Sequence, residues 1–211
     1  MKKNPKPESR AASISLFGGV ICLDFVNTVD WRTSDEPEEV LRDYIDLVDW
    51  TRHVGIIDDR CATALKRSAA RSRAEESRAL RQAFVLRDAI YDVFIAVAHG
   101  ENPAPQNLDR FNVTLSRLMA RARISTGRAG FGWTWAGNPS SVDSLLWPIS
   151  WSAAELLTSQ DLRLVRECPG EGCGWLFLDN SRSHRRQWCD MKGCGNRAKA
   201  RRYYERLKSS G

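Results

Sequence analysis

Four cysteines near the end of the chain constrain its fold more than any other feature. They form two pairs, Cys168-x4-Cys173 and Cys189-x4-Cys194, with fifteen residues between the pairs. Two turns that each offer two thiols, separated by a hairpin-sized interval, suit tetrahedral Zn²⁺ coordination. Four sulfur ligands leave no position for a water molecule, so the pattern predicts a structural rather than a catalytic ion.

Other interpretations of the cysteines stay open at this point. His184 lies between the two pairs and can replace one cysteine as a ligand, and a disulfide pair or free thiols are further alternatives. Cys22 and Cys61 stand apart, among apolar residues or alanines. We interpret them as small buried thiols, which is a common environment for an isolated cysteine.

The residues around the second pair predict a small β-hairpin followed by a helix. Residues 175–178 form a short apolar run suited to a strand, and a turn follows it. After Cys194, Asn196 is a candidate N-cap for a helix toward the end of the chain. One face of that helix gathers the less polar side chains Ala200, Tyr203, Tyr204 and Leu207. We expect this stripe to pack on the hairpin, with basic side chains on both sides.

The excess positive charge of the chain lies in the same segment. Residues 163–211 contain 12 Lys and Arg against 5 Asp and Glu, a net charge of +7, whereas residues 1–162 contain 20 against 21, a net charge of −1. Such a concentration favours a polyanionic partner, and the planar guanidinium group suits phosphate oxygens and guanine edges. The alternative is a solvated charged helix. The candidate nucleic-acid contacts are Arg182, Arg185, Arg186, Arg197, Lys199, Arg201, Arg202 and Arg206.

The whole chain is predicted to have a mainly α (α+β) fold in two parts. Residues 1–12 are polar and contain prolines, so we expect a disordered tail. Residues 13–160 are expected to form a mainly helical domain with a small β element. Residues 161–211 are expected to form the zinc finger, built from a β-hairpin and a basic C-terminal helix.

Apolar periodicity places the helices of the first part. Asp43 is a candidate cap for a helix that stops at Gly55. The clearest helix covers roughly residues 75–99, and residues 108–122 predict a further amphipathic helix.

Three other segments of the first part are less regular. Residues 145–157 have a helical pattern, which we expect to be kinked or restarted at Pro148. Residues 16–31 contain a Gly-Gly turn between two apolar runs, which suits a hairpin or a strand feeding a helix. An alternation with period two at Phe131, Trp133 and Trp135 predicts a short strand.

Hydropathy bounds the compartment in which we expect the protein. At 42% hydrophobic residues the chain can bury a core. The chain contains no stretch of 18 or more uninterrupted apolar residues, and the lysines near the N-terminus are not followed by an apolar signal-peptide segment. We therefore expect a cytoplasmic protein without a membrane partner.

The segments FLDNSR, RRQWC and CGNR, together with the four cysteines, resemble the CGNR zinc finger, a treble-clef-like module. The segment FGGVICLDFVNT is similar to the ABATE domain, which usually precedes that finger. The resemblance covers nearly the whole chain and belongs to a bacterial family regarded as stress-linked transcription regulators. It implies that Cys168, Cys173, Cys189 and Cys194 ligate one structural zinc ion, and that the finger is the DNA-binding part.

We therefore expect a DNA-binding transcription regulator, without enzymatic activity, whose N-terminal domain senses a small-molecule effector or mediates assembly, for instance as a homodimer. One alternative is a zinc-stabilised module that docks an acidic protein partner. Another is RNA binding, because Trp175, Trp188 and the tyrosines can stack on bases if they are exposed. An enzyme is the third alternative. The polar residues Asp24, Asn27, Asp30 and Arg32 lie close together in sequence, but capping and solvation explain them.

Overall fold

The computed structural model describes residues 9–69, 73–127, 130–138 and 141–209. Within these ranges the chain is mainly helical, as predicted, with short antiparallel strand pairs. The helices are α1 (Ile21–Val26), α2 (Tyr44–His53), α3 (Asp59–Ala69), α4 (Arg73–Ala98), α5 (Pro105–Met119), α6 (Val142–Leu157) and α7 (Asn196–Ser209). The strands are β1 (Val29–Asp30), β2 (Glu38–Glu39), β3 (Ala122–Gly127), β4 (Gly130–Trp135), β5 (Val165–Glu167) and β6 (Leu176–Leu178).

Helix α4 is the centre of the helical part, as its wide apolar arc predicts. Ala83, Leu86, Ile90 and Phe94 are buried on it, and the helix packs against α1, α2, α5 and α6. A helix that is apolar on several sides must be covered by other helices, because each exposed apolar face would lose the free energy of burial.

Helix α2 begins and ends where the sequence predicts. The Asp43 carboxylate accepts a hydrogen bond from the Asp46 N–H at 2.9 Å, which satisfies a backbone donor in the first turn. The helix ends at His53, and Gly55 follows with a φ of 78°. Left-handed backbone of this kind favours glycine, which has no Cβ.

Two helix predictions for this part are wrong in detail. Helix α6 continues through Pro148 as one element, because Leu145 and Ile149 on either side of the proline are fully buried. Burial of both halves outweighs the hydrogen bond that proline removes. Helix α5 ends at Met119, and Ala122 lies in β3 instead of on the last helical turn.

The N-terminal segment also differs from the prediction. Residues 1–8 of the expected tail lie outside the described residues, but Arg10–Ala12 forms a 3-10 turn in which Ala11 is completely buried. The Gly-Gly turn is followed by the short helix α1, so the hairpin interpretation of this segment is wrong. Helix α3, which the sequence analysis did not predict, follows α2 and packs against it.

The predicted strand at Phe131 is confirmed as β4, which pairs with β3 in an antiparallel hairpin. Trp133 lies opposite Ile124 and contacts the Trp151 ring, with the ring centroids 4.8 Å apart. Phe131 is 82% exposed, so the apolar face of this hairpin is covered only in part.

The C-terminal part packs directly on the helical part. Strands β5 and β6 pair antiparallel, with Arg166 opposite Phe177, and both strands contact α4. All three residues of β6 are buried. Within the described ranges, the helices are too short or too polar to cross a lipid bilayer.

Candidate metal centre and basic surface

The four clustered cysteines meet at one point of the fold. The Sγ atoms of Cys168, Cys173, Cys189 and Cys194 all lie within 4.8 Å of one another, and all four side chains are buried. The distance from Cys189 Sγ is 3.7 Å to Cys173 Sγ and 3.6 Å to Cys194 Sγ. Zinc–sulfur bonds of about 2.3 Å in a tetrahedron place the sulfur atoms about 3.8 Å apart. The donor set therefore fits one zinc ion.

Two backbone turns bring these thiols together. In the first, the Cys173 N–H donates to the Gly170 carbonyl oxygen at 2.8 Å, and the Cys168 N–H donates to the Trp175 carbonyl oxygen at 2.8 Å. In the second, the Asp190 carboxylate accepts from the backbone N–H of Lys192 at 3.1 Å and of Gly193 at 2.7 Å. Each turn thus holds its two cysteines without help from the other.

The electrostatics of the four thiols favour a bound cation. Hydrogen bonds from Cys173 and Cys189 lower the pKa of Cys168, so this side chain becomes the first thiolate. Hydrogen bonding to that thiolate raises the pKa of Cys173 and Cys189, and burial raises the pKa of Cys194. A divalent cation removes this mutual repulsion, because coordinated thiols lose their protons.

His184 lies outside the group of close ligand atoms. Its Nδ1 is 3.0 Å from the Asp179 carbonyl oxygen, and its backbone has a positive φ of 48°. Cys22 is completely buried, as expected, and burial raises its pKa to about 12. Cys61 is half-buried on α3.

Arg197 touches the candidate ligands directly. Its guanidinium group donates to Cys194 Sγ at 3.0 Å and lies over the Trp31 ring, 4.6 Å from the ring centroid. A hydrogen bond to a thiolate orients a metal ligand and stabilises its negative charge. Because Trp31 belongs to the helical part, this arginine also links that part to the metal centre.

Backbone hydrogen bonds join the strand and turn of the finger to the helical part. The Leu178 N–H donates to the Gly18 carbonyl oxygen at 2.8 Å, and the Arg32 N–H donates to the Cys173 carbonyl oxygen at 3.1 Å. The Trp175 indole N–H donates to the Val29 carbonyl oxygen at 3.1 Å. Trp175 is therefore buried and unable to stack on a base, contrary to the expectation for an exposed side chain.

The Gly18-Gly19 turn is fitted to the residues that follow it. The Gly18 N–H donates to the Asp24 carboxylate at 2.7 Å. A Cβ atom at Gly18 would lie 2.5 Å from the Asp24 nitrogen, so only glycine fits there. Burial raises the pKa of Asp24 to about 6, although this hydrogen bond and the charges of His53 and Arg186 lower it in part.

Two predictions for the last helix are wrong. Asp190 caps the preceding π-helical turn, Met191–Gly195, so Asn196 already has helical backbone angles and is no N-cap. Tyr203, Tyr204 and Leu207 are 60%, 62% and 55% exposed, and Ala200 is exposed, so the expected buried stripe does not exist. The helical part covers β5 and β6 instead, which leaves the hairpin no face for α7. Ala198 near the start of α7 is buried.

The eight basic candidates fall into two groups. Arg186 donates to the carbonyl oxygens of Phe17, Trp188 and Cys189, and lies 4.4 Å from the centroid of the Phe177 ring. Arg201 forms ion pairs with Glu171 and Glu205. With Arg197, these side chains have partners within the protein. The exposed side chains that leave charge facing the solvent are Arg182, Arg185, Lys199, Arg202 and Arg206.

The polar residues near the start of the chain have structural contacts. Asp24 binds the Gly18 N–H, and Asn27 binds the backbone of Leu176. Asp30 pairs with Arg10. Arg32 donates to the Val26 carbonyl oxygen at 3.0 Å and lies over the Tyr91 ring. These contacts agree with the capping and packing interpretation, and Asn27 has a role in joining the two parts that the sequence pattern did not reveal.

The fold and the site together define a mainly helical domain joined to a four-cysteine zinc finger. Comparison with protein families agrees: residues 19–160 match the ABATE family, described as "Putative stress-induced transcription regulator", and residues 164–207 match the CGNR zinc finger. The chain belongs to the ABATE family and carries a CGNR zinc finger after that domain, as the resemblance implied. Both are regulator or zinc-finger families rather than enzyme families. No curated protein matches the chain.

Proposed function

We propose that this protein is a DNA-binding transcription regulator whose zinc finger contacts the DNA backbone. The observation that carries the proposal is the group of exposed cations on the finger: Arg182, Arg185, Lys199, Arg202 and Arg206. Arginine and lysine side chains that neutralise phosphates release condensed counterions, which drives binding to DNA of any sequence.

Zinc, held by Cys168, Cys173, Cys189 and Cys194, would have a structural role in this proposal. The paired strands of the finger have three residues each, which is too few to enclose a separate apolar core. A metal that joins the turn at residues 168–173 to the turn at residues 189–194 fixes the loop at residues 182–186 beside α7. The chain then presents its cations on a rigid surface.

The test is the affinity of the zinc-loaded full chain for a random-sequence duplex over a salt series. We expect the logarithm of the binding constant to fall linearly with the logarithm of the salt concentration. The combined change of Arg185, Lys199 and Arg202 to Gln should reduce the slope by about 0.9 for each phosphate that is no longer neutralised. Fluorescence anisotropy of a labelled duplex measures both quantities.

A matched control removes charge from the helical part. Arg67 and Arg81 are exposed there, and changing both to Gln should leave the slope and the affinity unchanged. Absence of binding at low salt would overturn the proposal and favour an acidic protein partner. Binding to RNA but not to DNA would assign the surface to RNA.

The proposal gives the helical domain the sensing or assembly role. A cleft of about 340 Å³, lined in part by Tyr44, Gln82 and Asp143, offers space for a small-molecule effector. A homodimer is the other proposed form of regulation, and light scattering of the purified chain tests it. A monomer mass at all concentrations would overturn the dimer.

A further inference from the structure

A groove of about 540 Å³ lies between the finger loop at residues 185–191 and the first turns of α7. Phe17 of the helical part closes one end of it. The groove therefore exists only when the finger is packed on the helical part. We call it the finger groove.

Cations line both sides of the finger groove. Arg185 and Arg186 lie on the loop side, and Lys199 and Arg202 lie three residues apart on the helix side, hence on one face of α7. Asp190 supplies the opposing carboxylate, but its oxygens accept two backbone N–H groups in the metal turn. The charge of the groove thus suits an anion placed between loop and helix.

Between the cations the finger groove is apolar. Its lining includes Phe17, Trp188 and Met191, of which Trp188 is half-buried and Met191 is 46% exposed. A Cβ atom at Gly195 would lie 2.5 Å from Met191 Sδ and 3.2 Å from Trp188 Cδ1. Both side chains therefore rest on the backbone that begins α7, and this contact holds them in place.

The combination of an apolar floor with cations on both sides is typical of sites for single strands. Proteins that bind single-stranded nucleic acid place aromatic side chains where bases stack and positive side chains where the backbone passes. The bases of a duplex are stacked inside the helix, so they cannot reach a floor that lies between two rows of cations. Duplex phosphates alone would leave Trp188 and Met191 without a partner.

We infer that the finger groove binds an unpaired nucleotide of a single-stranded DNA segment. The base lies on Trp188 and Met191, and the adjoining phosphates lie between Arg185 and the pair Lys199 and Arg202. This inference rests on the proposed function, because it uses the same basic surface. It adds that the preferred partner is melted or single-stranded DNA.

The experiment compares a labelled single-stranded oligothymidylate with a fully paired duplex of the same length, at equal salt. The zinc-loaded full chain should bind the single strand about tenfold more tightly. Trp188→Leu should remove most of this preference and leave the affinity for the duplex unchanged. Met191→Ala changes an exposed side chain, keeps the fold, and should reduce the preference in the same direction.

Two controls separate the groove from the rest of the surface. Phe131→Ala removes an exposed aromatic ring from the β3–β4 hairpin and should leave both affinities unchanged. Lys199→Gln should weaken the binding of both nucleic acids, because it removes a charge that either can use. Zinc content and circular dichroism of each variant should match those of the wild type.

The outcomes distinguish the two proposals. Equal affinity for single strand and duplex, or an unchanged preference in both Trp188→Leu and Met191→Ala, overturns the groove inference while duplex binding keeps the proposed function. Loss of binding to both nucleic acids at low salt overturns both.

Discussion

The side-chain amide of Asn27 forms two hydrogen bonds with the backbone of Leu176. Its Nδ2 donates to the Leu176 carbonyl oxygen at 2.8 Å, and its Oδ1 accepts the Leu176 N–H at 2.9 Å. Both residues are buried, so water cannot replace either bond. The residue after α1 therefore satisfies the free edge of the strand that leads away from the metal turn.

Removal of this amide should destabilise the whole chain. Asn27→Ala leaves the N–H and carbonyl of Leu176 buried without partners, and we expect the free energy of unfolding to fall by about 3 kcal/mol. Urea denaturation measures this change. Asn112→Ala, at an exposed position of α5, is the control and should cost less than about 1 kcal/mol. Equal losses in both variants would contradict the role of Asn27.

The turn before α1 should tolerate no side chain at Gly18. A Cβ atom there would lie 2.5 Å from the Asp24 nitrogen and 2.8 Å from the Leu23 carbonyl carbon, both of which are backbone atoms of α1. We expect Gly18→Ala to lower the free energy of unfolding by about 3 kcal/mol. Gly132→Ala is the matched control, because its Cβ meets nothing within 4 Å and should change stability by less than about 1 kcal/mol.

Loss of a thiol from the metal centre should affect both parts of the protein. The sequence alone predicts that Cys173→Ser unfolds the finger and spares the helical domain. Hydrogen bonds from the finger to Gly18, Asn27 and Val29 now predict that the helical domain also loses stability.

Zinc content by elemental analysis and urea denaturation followed by helical circular dichroism test this expectation. The wild type should hold one zinc ion, and Cys173→Ser should hold much less and unfold at lower urea. Cys61→Ser removes a thiol outside the cluster and should keep the metal. A helical transition unchanged in Cys173→Ser would show that the two parts fold independently.

Arg197 should control how firmly the metal is held. Arg197→Met removes both the hydrogen bond to Cys194 Sγ and the cation that lies over the Trp31 ring. Removal of such an outer partner of a metal ligand lowers metal affinity by about 10- to 100-fold. Competition with a colorimetric chelator measures the affinity. Arg182→Met changes an exposed arginine of the same finger, and an equal loss in that variant would contradict the assignment.

Asp24 should make stability depend on pH between about 4 and 6. Burial raises its pKa to about 6, so in this range the folded chain binds a proton that the unfolded chain releases. Stability from this group therefore falls as pH rises, by about 3 kcal/mol in all.

Asp24→Asn tests this dependence, because the amide keeps an acceptor for the Gly18 N–H and cannot ionise. Its stability relative to the wild type should increase as pH rises from about 4 to 7, measured by urea denaturation at each pH. Acid release of zinc affects both chains equally and cancels in the difference. A difference that is constant across this range would contradict the assignment.

Local patterns predicted the elements whose structure depends on nearby residues. The paired cysteine turns, the cap at Asp43 and helix α4 follow from spacing and apolar periodicity, and the structure has them at the predicted places. Helix α3 was missed, although Ala62 and Leu65 are buried on it. Its apolar positions are mostly alanines among charged residues, so its periodicity is weak.

The sequence by itself determined the candidate metal ligands, the mainly helical domain before them and the basic segment after them, because each depends on residues close together in the chain. Only the tertiary structure decided what covers the finger. Asn27 and Leu176 are 149 positions apart, and no periodicity relates residues at that separation. Because the helical part already covers β6, α7 keeps Tyr203 and Tyr204 exposed, although an isolated hairpin and helix would be expected to bury them against each other.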